Sequence, residues 1–132
     1  MSSTYAYLAI LLFMCAKCNK RPAIPDYANV KGYVIGKETC NLDETKDYWL
    51  LDLTFFLDTP QYGDTVLLNG VTYTNLVKVN GLGEGPKQIG MKVSIDFKTV
   101  TTHKVETKDC TVNNPITFNL KELFIIKQGE IR

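Results

Sequence analysis

The clearest signal in the sequence is the alternation of side chains over residues 48–57 (Tyr-Trp-Leu-Leu-Asp-Leu-Thr-Phe-Phe-Leu). Successive side chains of a strand point to opposite faces of a sheet, so this run predicts a strand with one wholly apolar face. The residues of that face are Trp49, Leu51, Leu53, Phe55 and Leu57. The opposite face mixes polar and apolar residues, as in an antiparallel sheet with one partly solvated face.

Shorter runs of strand-like pattern predict the other strands. They cover residues 29–37, 65–68, 71–79, 91–98, 116–120 and 123–127, with a further short one near 101–105. Gly32 and Gly36 within the first run indicate a bulge or bend. Asn69-Gly70 lies between two apolar runs and predicts a hairpin with a type I′ turn, since both residues tolerate positive φ.

The fold class predicted from these elements is all-β, because no stretch of ten or more residues shows a clean helical period. Five to seven short strands in about 100 residues fit a small barrel or a sandwich. The order of elements resembles that of the oligonucleotide/oligosaccharide-binding (OB) barrels: a bent first strand, a long second strand, a hairpin, an alternating strand and a closing strand. We therefore expect a small antiparallel barrel of five to six strands.

Composition and charge fit one ordinary globular domain. The chain has 132 residues, of which 45% are hydrophobic and 22% are charged. Fifteen basic and fourteen acidic residues give a net charge of +1, and the only basic cluster is Lys17, Lys20 and Arg21. A nucleic-acid-binding domain concentrates Lys and Arg on one face, so we expect no nucleic-acid partner.

The N-terminus has the pattern of an export signal. Residues 1–14 contain no charged side chain, and residues 7–14 form an apolar run of eight. This run is too short to cross a bilayer, which needs about 20 residues, but it suits the apolar region of a signal peptide. Signal peptides usually carry a Lys or Arg before this region, and none precedes the run here. The alternative interpretation is a buried N-terminal strand or helix.

The run ends in Leu12-Phe13-Met14-Cys15, which resembles the lipobox of bacterial lipoproteins. In that family the cysteine is lipidated and becomes the new N-terminus, so the resemblance implies a lipid anchor on Cys15. Met14 stands where the family has a small residue, and Cys18 is the alternative acceptor. We divide the chain accordingly into a signal peptide (1–14), a tether (15–28) and a β-barrel domain (29–132).

Two further blocks carry a second resemblance. Lys-Gly-Tyr-Val-Ile-Gly-Lys at 31–37, followed by Cys40, and Gly-Met-Lys-Val-Ser-Ile-Asp-Phe at 90–97 look like recurring blocks of small secreted or lipoprotein barrels of Bacteroidota-type bacteria. The resemblance spans most of the segment after the tether. It implies an OB-like barrel and an envelope location, but no activity.

Cys40 and Cys110 are the cysteines of the predicted domain, and polar residues flank both of them. In an exported protein, two such cysteines form a disulfide more often than a metal site or a catalytic pair. We predict a Cys40–Cys110 disulfide between two loops. Two separate free thiols are the alternative.

No residues point to catalysis, a metal or a cofactor. The only histidine, His103, lies in a polar stretch without the Gly-x-Ser-x-Gly turn of a hydrolase. With the two cysteines bridged, too few ligands remain for zinc. The acidic residues Asp43, Glu44, Asp47 and Asp52 offer no pair facing across a cleft, so we assign them to solvation and surface ion pairs.

Aromatic side chains give the only positive indication of a binding surface. Small barrels bind ligands by stacking on exposed rings, and Tyr33, Tyr48, Phe56 and Tyr73 fall on predicted strand faces. We take Tyr33, Tyr48 and Tyr73 as candidate ligand-binding residues. Packing at the sheet surface, with the hydroxyl in water, is the alternative.

Together these patterns predict a non-enzymatic binding or structural module of the cell envelope. It would be exported to the periplasm or outer membrane and held there by a lipid, with an envelope glycan or protein as a partner and no cofactor. The alternatives are a hydrolase that uses carboxylates and a lipocalin-like carrier of an apolar ligand. The carrier would need more and longer strands than the sequence offers.

Overall fold

The computed structural model describes residues 24–54 and 59–131 and shows an all-β fold. Its strands are β1 (Tyr27–Lys37), β2 (Trp49–Asp52), β3 (Asp64–Leu68), β4 (Val71–Asn80), β5 (Lys92–Thr99) and β6 (Glu122–Glu130). The only helical element within these ranges is a single 3-10 turn, Glu44–Lys46, between β1 and β2. The all-β prediction is confirmed.

Five of the strands close into a ring, in the order β1-β2-β4-β6-β5 and back to β1, while β3 extends β4 as a hairpin arm. This is a small OB-like barrel, as expected. The expectation of a wholly antiparallel barrel was wrong at one pair, because β4 and β6 are parallel. A closed ring with an odd number of strands cannot alternate in direction throughout, so one parallel neighbour is unavoidable.

β2 is shorter than the run that predicted it. It ends at Asp52, whose Oδ1 accepts hydrogen bonds from the backbone N–H and the hydroxyl of Thr54. Such a side-chain turn competes with strand pairing and explains the early end. The predicted inward residues Trp49, Leu51 and Leu53 do pack in the core. Phe55, Phe56 and Leu57 lie outside the described residues.

The last third of the chain also departs from the prediction. The segments 101–105 and 116–120 form single bridges rather than strands, Val105 with Leu120 and Thr39 with Ile116. The final strand, in contrast, extends from Glu122 to Glu130. Residues 100–121 therefore form one long, irregular connection between β5 and β6.

The core has two parts. The first fills the barrel and includes the fully buried Val34, Leu51, Val77, Val93 and Phe97. The second lies outside the barrel wall and consists of Leu50, Leu76 and Leu120, with Ile35, Val66, Leu68, Tyr73 and Phe118 packed around them. The long connection supplies Phe118 and Leu120, so it covers the outer face of β2 and β4.

Predicted glycine positions explain the bend and the hairpin. The β1–β2 register shifts between Val34 and Gly36, which is the expected bulge. A Cβ at Gly32 would lie 2.8 Å from the Asp52 carbonyl oxygen, so only glycine allows β1 and β2 to approach so closely here. Asn69 and Gly70 have φ values of 50° and 79°, as a type I′ turn requires.

Candidate functional site

A disulfide joins the two connections at one end of the barrel. Cys40 and Cys110 are bonded across 70 residues of sequence, as predicted. The Cys40 carbonyl also accepts hydrogen bonds from the N–H groups of Thr111 and Val112, at 2.8 and 3.2 Å. The β1–β2 connection and the 100–121 connection are thereby held together by covalent and hydrogen bonds.

Asp47 shapes the first of these connections. Its carboxylate is buried, and its Oδ1 accepts from the backbone N–H groups of Cys40 and Asn41 and from the Asn41 side-chain amide, at 2.8–3.1 Å. Its Oδ2 is buried without a hydrogen-bond partner among the described residues. Asp47 thus organises the backbone around the disulfide.

A buried ion pair fastens the long connection to the barrel wall. The side chains of Lys78 and Glu38 are both 0% exposed, and Nζ lies 3.5 Å from Oε1. Lys78 Nζ donates to the Thr107 hydroxyl at 2.7 Å and to the Phe118 carbonyl at 3.2 Å. Glu38 accepts from the Thr107 hydroxyl at 2.7 Å and from the Phe118 N–H at 2.8 Å. Each of the two charged groups therefore has two hydrogen-bond partners in addition to the opposite charge, which offsets the cost of burying it.

The side chains of Tyr48 and Tyr73 both contact other residues of the protein. The Tyr48 hydroxyl donates to Glu122 Oε1 at 3.0 Å, and its ring lies 4.8 Å from Lys78 Nζ. Burial, this hydrogen bond and the negative charge of Glu122 and Glu38 raise the pKa of Tyr48 to about 12. Tyr73 is half-buried against the outer part of the core.

Tyr33 lies elsewhere on the outer surface of the wall. It pairs with Asp52 of β2 and with Lys92 of β5, whose ammonium is 5.8 Å from the ring centroid. Tyr48 precedes Asp52 by four residues, which is about 13 Å along an extended strand. The register therefore separates Tyr33 from Tyr48 along the wall and does not bring these two tyrosines into one groove.

The candidate acidic residues are engaged locally. Asp43 accepts from the hydroxyl and the N–H of Thr45, and these hydrogen bonds lower the pKa of Asp43. Glu44 forms an exposed ion pair with Lys37 at 3.1 Å. His103 is exposed. Asp47 and Asp52, described above, accept hydrogen bonds from backbone N–H groups close in sequence. The four acidic residues are thus engaged by their sequence neighbours or by Lys37.

A cleft that the sequence reasoning missed lies beside the start of β1. It has a volume of about 470 Å³ and is lined by Asp26, Tyr27, Tyr62, Thr99, Thr102 and Lys121. The ring centroids of Tyr27 and Tyr62 are 6.1 Å apart, and both rings pack on the buried Phe97, at 5.3 and 5.7 Å. We refer to this as the Tyr27 cleft.

A buried amide positions the Tyr62 side of the cleft. Asn75 Oδ1 accepts from the N–H groups of Tyr62 and Gly63, and its Nδ2 donates to the Pro60 carbonyl at 2.9 Å. A Cβ at Gly63 would lie 2.5 Å from the Leu76 carbonyl oxygen, so the chain can pass this close to β4 only at a glycine. The Tyr62 hydroxyl donates to the Thr101 carbonyl at 3.1 Å.

The polar groups of the cleft are also fixed. Asp26 Oδ2 accepts from the N–H and the hydroxyl of Thr99, both at 2.8 Å, and these bonds lower the pKa of Asp26. Lys121 Nζ donates to the Tyr62 carbonyl at 3.2 Å and lies 5.8 Å from the Tyr62 ring centroid. Burial raises the pKa of the Tyr62 hydroxyl. The cleft therefore combines two aromatic rings, hydroxyls, one carboxylate and one ammonium.

Sequence patterns gave little sign of this cleft. Residues 15–28 read as a tether, yet Asp26 and Tyr27 are held against β5, and β1 begins at Tyr27 rather than at residue 29. Tyr62 lies in a stretch that reads only as a turn. A usable signal was Tyr27, an aromatic residue two positions before the first predicted strand.

Residues 24–54 and 59–131 bring together no group of three or more His, Cys, Asp or Glu that could hold a metal ion. No helical segment in this part of the chain has the length and apolar character that a membrane crossing requires.

Fold and site together define a disulfide-linked OB-like barrel with an aromatic cleft. Comparison of the chain with protein-family models, with curated proteins and with solved structures found no match. The chemistry of the residues themselves is therefore the basis for a functional proposal.

Proposed function

We propose that the chain is an exported, lipid-anchored binding or structural module of the cell envelope. The Cys40–Cys110 disulfide is the observation that carries this proposal, because disulfides persist in oxidising compartments outside the cytosol. The leader-like residues 1–14 and the lipobox-like Cys15 lie outside the described residues, and they supply the export signal and the anchor in this proposal. The resemblance to Bacteroidota-type lipoprotein barrels is consistent with it.

The engagement of the acidic residues favours a binding module over a hydrolase. Asp43 and Asp52 accept hydrogen bonds from residues two positions ahead, and Asp47 holds the backbone at Cys40. Carboxylates used in this way cap turns and are not directed at a shared substrate position. Glycosidase chemistry requires two carboxyls that face each other across a cleft.

Packing inside the barrel favours a binding module over a carrier. The barrel interior is filled by side chains such as Val34, Leu51, Val77 and Phe97, all of which are 0% exposed. A carrier of an apolar ligand needs an enclosed cavity at that place, and barrels of more strands provide it. A ligand of this protein would instead bind on the outside of the barrel.

Cell fractionation tests the anchor. The wild-type chain, a Cys15→Ala variant and a Cys18→Ala control should be expressed in a bacterial host that processes lipoproteins. We expect wild type and Cys18→Ala in the membrane fraction, with an intact mass that shows loss of residues 1–14 and added acyl chains. Cys15→Ala should lose the acyl mass. An unmodified wild-type chain that begins at Met1 would overturn the proposal.

A thiol count tests the oxidising compartment. After denaturation without reductant, Cys40 and Cys110 of the exported protein should resist alkylation, and both should react once reductant is added. Peptide mapping separates them from Cys15 and Cys18. Two reactive thiols at positions 40 and 110 in the protein isolated from cells would contradict export to an oxidising compartment.

A further inference from the structure

We propose that the Tyr27 cleft is a carbohydrate-binding site that takes a neutral sugar unit of a glycan. This inference rests on the proposal that the barrel is a binding module, and it names the ligand class. Three features of the cleft match such a ligand: the aromatic surface, the hydrogen-bonding groups around it and the balance of charge.

The aromatic part is a fixed pair of rings. Tyr27 is 39% exposed, so part of its ring faces solvent, while it packs on Phe97 and Tyr62. The negative face of an aromatic ring attracts groups with a positive edge, and the C–H face of a sugar ring is such a group. The rings lose little conformational freedom on binding, because the core already holds them.

The polar groups around the rings both donate and accept. The ammonium of Lys121 has three donors, of which one goes to the Tyr62 carbonyl. The carboxylate of Asp26 accepts twice through Oδ2, and a carboxylate has about four acceptor positions over its two oxygens. The exposed Thr102 adds a hydroxyl that can act in either direction. Sugar hydroxyls, which donate and accept together, match this mixture.

Charge and size distinguish a neutral sugar from other ligands. Asp26 and Lys121 contribute one charge of each sign, so the cleft lacks the excess of cations with which proteins bind phosphate groups. Its polar lining is equally unsuited to a purely apolar ligand. The volume of about 470 Å³ lies within the range of about 300–1,000 Å³ of small-molecule sites.

Calorimetric titration of the purified full chain tests the site. The probes are cellotetraose, chitotetraose and maltotetraose, with inorganic phosphate for comparison. We expect at least one oligosaccharide to bind with a Kd of about 1 mM or tighter. Tyr27→Ala should weaken that binding about tenfold, while Tyr27→Phe, which keeps the ring, should stay within about threefold of wild type. Tyr33→Ala, remote from the cleft, should bind like wild type.

A second pair of variants distinguishes loss of the binding site from misfolding of Tyr27→Ala. Thr102→Arg introduces a long side chain at an exposed position and should block the cleft, whereas Thr72→Arg is a matched change on the β3–β4 hairpin. We expect loss of binding in the first variant only. Equal binding by wild type and Thr102→Arg, or no binding of any of the three oligosaccharides at about 10 mM, would overturn the inference. Binding of phosphate alone would overturn it as well.

These titrations do not depend on the anchor, because they use the purified chain. A chain that begins at Met1 without lipid but binds an oligosaccharide would refute the envelope location and support the cleft. A lipidated chain that binds none of the probes would support the envelope location and refute the cleft.

Discussion

Removing one member of the buried Glu38–Lys78 pair should lower the free energy of unfolding more than removing both members together. The pair lies between the residue after β1 and the outer face of β4, with both side chains fully buried. Lys78→Met would leave the Glu38 carboxylate without its cation, and Glu38→Leu would leave the ammonium without its anion. The double variant replaces both charges by apolar side chains of similar length.

The magnitude follows from the partners that each change leaves behind. An uncompensated buried charge costs about 3–5 kcal/mol, so each single variant should lose that much of the free energy of unfolding. The double variant leaves no charge, but it deprives the Thr107 hydroxyl and the backbone of Phe118 of partners. Leaving polar groups of half-buried residues without partners costs about 1–3 kcal/mol, so we expect a loss of that size. The coupling energy should therefore be at least about 3 kcal/mol.

Urea unfolding of the oxidised protein measures these losses. With a slope of about 1–3 kcal/mol per molar urea, a loss of about 3–5 kcal/mol should lower the midpoint of each single variant by about 1–5 M. The exposed pair Lys37–Glu44 is the matched control, since its side chains are 32% and 77% exposed. Lys37→Met should cost less than about 1 kcal/mol, because exposed ion pairs contribute little.

An additive result would refute the reasoning. If the losses of Lys78→Met and Glu38→Leu sum to that of the double variant within about 0.5 kcal/mol, the two charges do not depend on each other. The long connection would then be held to the barrel by the disulfide and the apolar contacts alone.

Three further predictions concern the core, the disulfide and alkaline pH. Leu53→Ala should lower the free energy of unfolding by about 2–5 kcal/mol, because it truncates a fully buried side chain. Asp52→Asn should stay within about 0.5 kcal/mol of wild type. A larger loss in Asp52→Asn would mean that the inward face of β2 is wrongly assigned. Replacing Cys40 and Cys110 by alanine should cost about 4 kcal/mol, because the bond closes a loop over a 70-residue separation, and a loss below about 1 kcal/mol would contradict this. The pKa of Tyr48 is about 12 in the folded protein and about 10 when unfolded, so between these pH values the unfolded chain binds fewer protons. The free energy of unfolding should therefore fall as pH rises from about 10 to 12, by a smaller amount in Tyr48→Phe, and an identical fall in both proteins would rule out this contribution.

Features set by neighbours in sequence were predictable. The alternation in residues 91–98 marked β5, Asn69-Gly70 marked the hairpin, and the inward residues of β2 followed from a period of two. Each depends on backbone geometry over a few residues, which the side-chain pattern reports directly. The presence of one parallel pair was also derivable, since a closed ring of five strands cannot alternate in direction throughout, but the ring alone does not identify it as β4–β6.

The outer part of the core could not be read from the sequence. Lys78 lies on the outer face of β4, where alternation predicts a solvated charge, yet it is fully buried. Leu50, opposite it on β2, belongs to the face that reads as mixed and partly wet. Both are buried because residues 100–121, which have no periodic pattern, fold across the wall. Burial by an irregular segment depends on contacts between distant parts of the chain, and no local pattern records them.

The same covering segment changes where a ligand can bind. Small barrels of this type use the outer face of the second and third ring strands, between the flanking loops. In this protein these strands are β2 and β4, and the two loops are joined by the disulfide while Phe118 and Leu120 occupy the face. Tyr48 and Tyr73, chosen as stacking residues from the pattern, support this covered region. The Tyr27 cleft, in contrast, is built by the start of β1, the turn at Tyr62, the end of β5 and both ends of the long connection. Its rings remain partly open to solvent. A segment that closes one face of the barrel thus helps to form the site at its edge.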